Sequence, residues 1–477
     1  MTRKFGFAII FTMNRRDFIG GALAMAGGAA FGDEYVAQRD GLPPGSCGDP
    51  DNVWFGRHIF PLDPTMTDGP SCFLKDGKVC EPAKEIPIFH RTDVVVVGGG
   101  PAGFAAAIAA AKTGAKVALV ERYGSLGGLF TNGLVLIMLA TSRYEDGKWT
   151  LVARGVCEDF MNRVGKFGGD FSSQPTNTCP KSHWLPTVDP ECAKYLMDTM
   201  VAEQKNIEMF FHAWGVDVIQ DGNKVLGIVF ESKEGRQAIL AKQVVDCTGD
   251  ADMLFRAGGD YRQITSSMTT VFRWANMDTI NPTEGGRSVF PTRGNEGNPD
   301  ARWGGCSMNT ANALSVRDLS RFEVSERRKN WEQVQRMRAT PGWEKVYTSN
   351  SASQIGVRGT RLIDAEFVIG RKEIHDGFDT GDTIGWCGHD GAHVAFPVVY
   401  RQLVPKRVDN LLCAGRCLGK GDTIDTLRLI CPCFVTGEAA GTAAALCAQR
   451  GVTPRELEAK LLQRKLAENG VWLGSRC

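Results

Sequence analysis

Apolar and polar positions follow different rhythms along the chain, and the clearest lies at 93–121, DVVVVGGGPAGFAAAIAAAKTGAKVALVE. Val94 to Val97 are four consecutive β-branched residues, as a strand buried on both faces of a parallel sheet requires. Glycines follow, then an Ala-rich stretch whose Ala107, Ala111 and Gly114 let a helix lie close to the sheet. Val117 to Val120 supply a second strand ending in a carboxylate, Glu121. Residues 186–205 read as a helix. Residues 208–245 alternate as short strands around the turns Asp221-Gly222-Asn223 and Lys233-Glu234-Gly235, ending in Val244-Val245-Asp246-Cys247-Thr248-Gly249-Asp250. From 253 to about 401 the alternation fades into Trp- and Arg-containing sequence, consistent with a separate substrate-facing domain.

Strand and helix character then returns. NLLCAGR at 410–416 predicts a buried strand entering a turn, and TGEAAG at 436–441 predicts the opening of an Ala-rich helix running to Leu446. Thr453-Pro454-Arg455-Glu456 has the form of a capping box with proline at the first helical position. Leu457, Leu461, Leu462 and Leu466 would be the core-facing stripe of that last helix.

Gly98, Gly100 and Gly103 form G-x-G-x-x-G between the first strand and its helix. The first suits a tight turn, the second lets the backbone approach a pyrophosphate, and the third lets helix pack on strand. A phosphate would rest on the helix N-terminus. Such a motif alone is weak in a chain with 56 glycines. Here Glu121, 18 residues after Gly103, stands where a carboxylate accepts hydrogen bonds from a ribose 2′-hydroxyl. Glycines 127, 128 and 133 lie in the following loop and permit close approach to a flat ring system.

Composition is that of a globular protein, with 43% hydrophobic and 23% charged residues, and 55 Lys+Arg against 54 Asp+Glu leave a formal charge of +1. No global field directs the chain to nucleic acid or to an anionic membrane surface. Asn14-Arg15-Arg16-Asp17-Phe18-Ile19 resembles a twin-arginine export signal. The Gly/Ala-rich run from Phe18 to Phe31 follows it, too short and weakly hydrophobic for a stable span. Small residues at Gly28, Ala29, Ala30 and Gly32 offer cleavage sites, so a periplasmic product carried out in folded form is expected, without a stable membrane span. Fifteen cysteines in such a chain leave at least one unpaired. Cys47, Cys72 and Cys80 could bridge in the Gly/Pro-rich stretch before the first strand.

With these pieces placed, the chain resembles the FAD-dependent oxidoreductase family of glutathione-reductase-like flavoproteins, related to fumarate reductase and to heterodisulfide reductase flavin subunits. The segments that carry the likeness are VVVVGGGPAG at 94–103, ERYGSLGG at 121–128, VVDCTGDADM at 244–253, IGVRGTR at 355–361, NLLCAGRC at 410–417 and TGEAAGTAAA at 436–445. It implies an α/β fold: a Rossmann-like FAD-binding domain, a parallel sheet with helices and a β-meander insertion, plus an inserted mixed α+β substrate domain. The implied segments are a signal at 1–33, an extension at 34–89, the FAD-binding domain at 90–140, 201–257 and 402–477, a helical insert at 141–200 and the substrate domain at 258–401.

The resemblance further implies noncovalent FAD, since the histidine of covalent attachment has no counterpart in GSLGGLFTNG. Gly98, Gly100, Pro101, Ala102 and Gly103 would hold the pyrophosphate and Glu121 with Arg122 the ribose. Gly127, Gly128, Val216, Thr248, Gly249 and Asp250 would surround the nucleotide, and Gly415 with Arg416 would approach the ribityl-pyrophosphate. A helix beginning near Glu438 and Ala439 would direct its N-terminus at the flavin, favouring negative charge there.

Beyond the cofactor, His389 and His393 flank a glycine-rich loop and could serve as proton donor or acceptor with Asp390 beside them, or be surface histidines without a role. Arg358, Arg361, Arg401 and Arg428 could bind a substrate carboxylate or form salt bridges between domains. Cys413, Cys417, Cys431 and Cys433 could be structural thiols or a redox pair. If Cys431 and Cys433 lay on a strand, they would share a face. Their spacings fit no common metal template. A small-molecule substrate and an exported electron donor or acceptor complete the expectation, with a flavin-thiol oxidoreductase or a substrate-free electron-transfer subunit as alternatives.

Overall fold

The computed structural model describes residues 72–145, 148–167, 188–276, 293–294, 301–389 and 392–474. The expected export signal, most of the N-terminal extension, Cys47 and Asp390 lie outside these residues. The thiols of Cys72 and Cys80 are free.

Strand β1, Ile88–Val97, ends in the four-valine run, whose side chains are fully shielded. Such a strand belongs at the centre of a sheet covered on both faces. Helix α1, Pro101–Lys112, returns the chain to β2, Val117–Val120, which runs parallel to β1. Helices α2, Val156–Lys166, and α3, Pro190–Ala202, precede β3, Ile207–Phe210, parallel to β2. The Asp189 carboxylate caps α3 by accepting from the Glu191 and Cys192 N–H groups at 2.7 and 3.1 Å, and Pro190 at the first position needs no acceptor.

The alternating stretch forms the antiparallel meander β4, Trp214–Asp221, β5, Lys224–Ser232, and β6, Gly235–Asp246. One edge of β6 pairs parallel with β1 over nearly its whole length. The sheet order is therefore β3-β2-β1-β6-β5-β4, with the C-terminal ends of β1, β2 and β6 side by side. After a short helix, α4, Asp252–Arg256, the chain leaves for an antiparallel sheet built on β7, Ser266–Ala275, with β8, Ala301–Ala311, β9, Tyr347–Ser351, and β10, Gly356–Val357. Helix α5, Val316–Arg338, closes that sheet, burying Trp274 with Val334, Met337 and Val346. The Trp274 indole N–H donates to Asn330 Oδ1 at 3.0 Å, so the polar edge of the ring is satisfied inside the core.

A hairpin of β11, Thr383–His389, and β12, Ala392–Val399, leads back. Strand β13, Leu411–Cys413, then pairs parallel with Val244–Asp246 of β6, so the C-terminal segment rejoins the first sheet. Helix α6, Ile430–Arg450, packs on α1, and α7, Ala459–Glu468, follows.

Three sequence expectations need correction here. Helix α6 begins at Ile430, not near Glu438. Pro432 falls in its first turn, where a missing N–H costs nothing, and Gly437 and Gly441 serve packing rather than initiation. A Cβ on either would stand 2.0 Å from a backbone carbonyl oxygen of α1, that of Ala102 or Ala106. Cys431 and Cys433 are consequently on a helix, where positions two apart do not share a face. The Thr453–Glu456 box does form, with the Glu456 carboxylate accepting from the Thr453 N–H and hydroxyl at 2.9 Å, but it closes a turn, and the helix starts at Ala459. Leu462 and Leu466 are buried in the main core as expected. By length and composition α6 could cross a bilayer, yet its apolar window is buried throughout.

Glu438 therefore sits in mid-helix, buried, and its carboxylate accepts from the Val156 N–H at 2.9 Å. It caps α2 from the far end of the sequence. Gly155 leaves the room: its φ is +73° and a Cβ there would stand 2.4 Å from the Glu438 carboxylate. Burial raises the Glu438 pKa to about 8, against the lowering effect of that hydrogen bond. The neutral form is thus favoured in the native state, and the linked stability is complete below the unfolded pKa of about 4.3. It declines as pH rises towards about 8, by a few kcal/mol at about 1.4 kcal/mol per unit. Urea titrations between pH 5 and pH 8 are expected to show a stability slope that Glu438→Gln flattens; an identical slope in the variant would remove this role.

Candidate functional site

A cleft opens where the C-terminal ends of β1, β2 and β6 meet the returning segment after β13. Gly98, Gly100, Pro101 and Ala102 line it with Glu121, Arg122 and Tyr123 after β2, Thr248, Gly249 and Asp252 after β6, and Gly415 and Arg416 of the returning segment. The glycine turn is shaped by contact. Gly98 has φ +100°, and a Cβ there would stand 2.5 Å from the Cys247 carbonyl oxygen; at Gly103 a Cβ would stand 1.7 Å from that of Gly98. Gly100 differs, with nothing within 4 Å of its Cβ position, so the cleft passes directly over its backbone.

The Glu121 carboxylate turns into this loop. It accepts from the Gly99 N–H at 2.6 Å and the Tyr123 N–H at 2.8 Å. Burial pushes its pKa up despite both bonds. Gly127 binds back through its N–H to the Gly99 carbonyl at 2.8 Å, and Gly128, which lines the cleft, presses on Gly100. Along β4 the lining residues are Trp214 and Gly215, preceded by Ala213; Val216 falls one residue beyond. The Arg122 guanidinium lies 4.9 Å from the centre of the Tyr123 ring and 5.8 Å from that of Trp214.

The Thr-Gly-Asp turn is organised by Asp246, which sequence reasoning passed over. Fully buried, it accepts from the Thr248 hydroxyl at 2.7 Å, the Thr248 N–H at 3.1 Å and the Met253 and Leu254 N–H groups at 2.9 and 3.0 Å. Burial raises its pKa to about 6. A carboxylate ending a strand just before Thr-Gly was the available signal, since Asp caps turns and helices through such bonds. Asp250 is not among the lining residues. It pairs with Arg416 at 2.7 Å and accepts from the Thr360 hydroxyl at 2.6 Å, and Arg416 also donates to the Gly249 carbonyl at 2.9 Å. Asp252 is the carboxylate that reaches the cleft, paired with Arg361 at 2.8 Å.

The other candidates divide. Arg361 is held by Asp252, by the Asp250 carbonyl and over the Phe255 ring at 4.2 Å, which makes it a brace. Arg401 pairs with Asp382 away from the cleft lining. Arg428 lines the cleft just before α6, and both it and Arg358 bind Asp425 Oδ1 at 2.9 Å. Burial, reinforced by the nearby Arg358 charge, lowers the Arg428 pKa from its usual value. Gln354, between β9 and β10, also lines the cleft and had no sequence signal. Glu438, which caps α2, and Ala439, which is buried in the core, are not in the lining. His389 and His393 belong to the facing strands of the β11–β12 hairpin, whose turn is outside the described residues.

Cys247 and Cys433 also line the cleft. Cys413 and Cys417 lie with them, whereas Cys431 neighbours Cys157 and Cys387. Burial raises the Cys433 thiol to about 12 against the pull of Arg416 and Arg428, and raises Cys247 and Cys413 well above the ordinary thiol range. Thiols held neutral in this way are poor nucleophiles. Among the described residues, no group of three or more His, Cys, Asp or Glu is arranged to hold a metal.

Two helix N-termini, those of α1 and α6, open on the cleft with first-turn N–H groups that lack intrahelical acceptors. With the space over Gly100 and the buried carboxylate at the end of β2, the residues present fit a dinucleotide, and the fold and site define a Rossmann-like, dinucleotide-dependent oxidoreductase. The sequence model of the family described as FAD dependent oxidoreductase matches residues 93–466. The chain belongs to that family, and FAD is its cofactor.

Local likeness to characterised proteins is short. Dihydrolipoyl dehydrogenase of Trypanosoma brucei brucei is 52% identical over 64 residues, 13% of each chain. Soluble pyridine nucleotide transhydrogenase of Chromohalobacter salexigens is 56% identical over 43 residues, 9% of each. The matches thus span roughly a tenth of the curated relatives' length. Among solved structures, a geranylgeranyl bacteriochlorophyll reductase-like protein of Thermoplasma acidophilum aligns over 80% of this chain and 86% of its own, with 15% identity and a TM-score of 0.40.

Proposed function

We propose that this chain is an exported, periplasmic FAD-dependent oxidoreductase that exchanges a hydride and a proton with a small organic substrate and passes the electron pair to or from an exported partner. The observation that carries the reading is the meeting of both helix N-termini on one cleft that Gln354 and Arg428 also line. Bound FAD supplies two-electron hydride exchange at its N5. Gly98, Gly100 and the first turn of α1 hold the pyrophosphate, Glu121 the ribose, and the start of α6 favours negative charge nearby. The loop at 124–133 contains no histidine, which supports noncovalent binding. His389 or His393 holds the exchanged proton. The Arg-Arg signal and its apolar run support export of a folded holoprotein.

The flavin-thiol alternative is less well supported, because burial keeps the cleft cysteines protonated at neutral pH. The test is anaerobic: purified yellow protein is mixed with hydroxy acids, sugars, enoates and thiols, and flavin absorbance is followed. Bleaching by one class, or reoxidation of reduced flavin by an enoate, is the expected result. Colourless folded protein that refuses FAD, or flavin inert to every class, would end the proposal.

A further inference from the structure

Hydrogen bonding in the cleft is uneven. Each Glu121 carboxylate oxygen accepts one backbone N–H group and keeps a lone pair for a ribose hydroxyl. Arg428 Nε and Gln354 Oε1, whose residues line the same cleft, are buried without any partner. A buried polar atom left unmet costs about 1–3 kcal/mol, and native structures retain such atoms where a ligand or water completes them. Gln354 is anchored for such a contact: its backbone N–H donates to the Asn132 carbonyl at 3.2 Å.

Arg416 is matched by Asp250 and Arg361 by Asp252, whereas Arg428 shares its carboxylate, Asp425, with Arg358. The Asp425 side chain is 65% exposed and that of Arg428 21%, so the anion of the group lies outside and a cation lies at the cleft. Asp425 engages a terminal nitrogen of Arg428, leaving Nε to an acceptor in the cleft. The Nε and Nη2 edge of a guanidinium is a two-pronged fork that fits a carboxylate.

We infer that the substrate is a small organic acid whose carboxylate docks on Arg428 while a neighbouring hydroxyl donates to Gln354. This narrows the oxidoreductase reading above to one substrate class and rests on it.

The experiment uses FAD-loaded protein titrated with lactate, malate and 2-hydroxyglutarate, with lactamide as neutral control, reading the flavin difference spectrum. At least one acid is expected to perturb the flavin, and lactamide to bind about tenfold or more weakly than lactate, as loss of a charge-assisted fork implies. Arg428→Lys should weaken acid binding about tenfold, because Lys cannot supply the fork, with FAD affinity kept. Asp425→Asn should tighten acid binding by freeing Nη2, whereas a purely structural ion pair would give no tightening. The inference is overturned if no acid perturbs the flavin, if lactamide matches lactate, if both variants bind acids as the parent does, or if Arg428→Lys alters only FAD affinity. Failure of the underlying reading looks different: no FAD is retained, or the flavin exchanges electrons with no compound of any class.

Discussion

Gly103→Ala is expected to destabilise the protein severely, whereas Gly100→Ala, three residues away, should leave the fold intact and weaken FAD binding. The added methyl at Gly103 would meet the Gly98 carbonyl oxygen at 1.7 Å. The Cβ is fixed directly to the α1 backbone and the oxygen belongs to the backbone of the turn, so no rotamer change relieves the clash. Overpacking a tight core costs about 1–3 kcal/mol and occasionally more. A backbone conflict inside the central unit belongs at the upper end, with a fall in unfolding midpoint on the order of 5–10 °C. At Gly100 the same methyl meets nothing within 4 Å, so the apo midpoint should hold. The methyl would instead occupy the path of the pyrophosphate, and FAD affinity should fall about tenfold or more, equivalent to about 1.4 kcal/mol. Thermal unfolding of both apo variants and titration with FAD separate the two effects. A Gly100→Ala protein that binds FAD like the parent would show that the pyrophosphate does not pass there.

Asp250→Asn should be the most damaging isosteric change in the site, although Asp250 does not line the cleft. Its carboxylate ties three regions together: the turn after β6, Thr360 just past β10 and Arg416 of the returning segment. Removing one partner of a buried pair strands the other and costs about 3–5 kcal/mol; the remaining amide hydrogen bonds place the cost near the lower figure. Asp250→Asn/Arg416→Met should recover part of the loss, since the stranded charge is removed with its partner. The pH dependence has a definite sign. Burial raises the Asp250 pKa, but the Arg416 charge and the Thr360 and Arg416 hydrogen bonds outweigh it, and the pKa is lowered overall. The linked stability is therefore present above the unfolded value of about 3.9 and lost as pH falls through the native value. Chemical denaturation should show the parent losing more stability than Asp250→Asn on acidification below about pH 4. Equal midpoints at neutral pH would remove Asp250 from this role.

Legibility in the sequence followed locality. Strand β1, the glycine turn, α1 and β2 are contiguous, and their spacing is dictated by backbone geometry, so the four valines, three glycines and Glu121 could be read directly. The β4–β6 meander was visible for the same reason, since each strand pairs with its sequence neighbour. Helix α6 was misplaced at its start because Gly437 and Gly441 look like boundaries until α1 is packed against them. The region between β6 and β13 carried no rhythm: its β7 sheet pairs strands far apart in sequence, and its core around Trp274 is small.

The order of residues by itself determined a dinucleotide-binding βαβ unit, the carboxylate that ends its second strand and the return of sheet character near residue 410, because each arises from short-range periodicity and steric demands on neighbouring residues. Tertiary structure alone decided which charged groups are matched and which are left over. It turned Asp250 to Arg416 and Asp252 to the cleft, converted Glu438 from a flavin neighbour into the cap of α2, and brought Gln354 and Arg428 to one cleft. Those outcomes depend on contacts across tens to hundreds of residues, where burial and Coulomb attraction select partners that spacing along the chain does not encode.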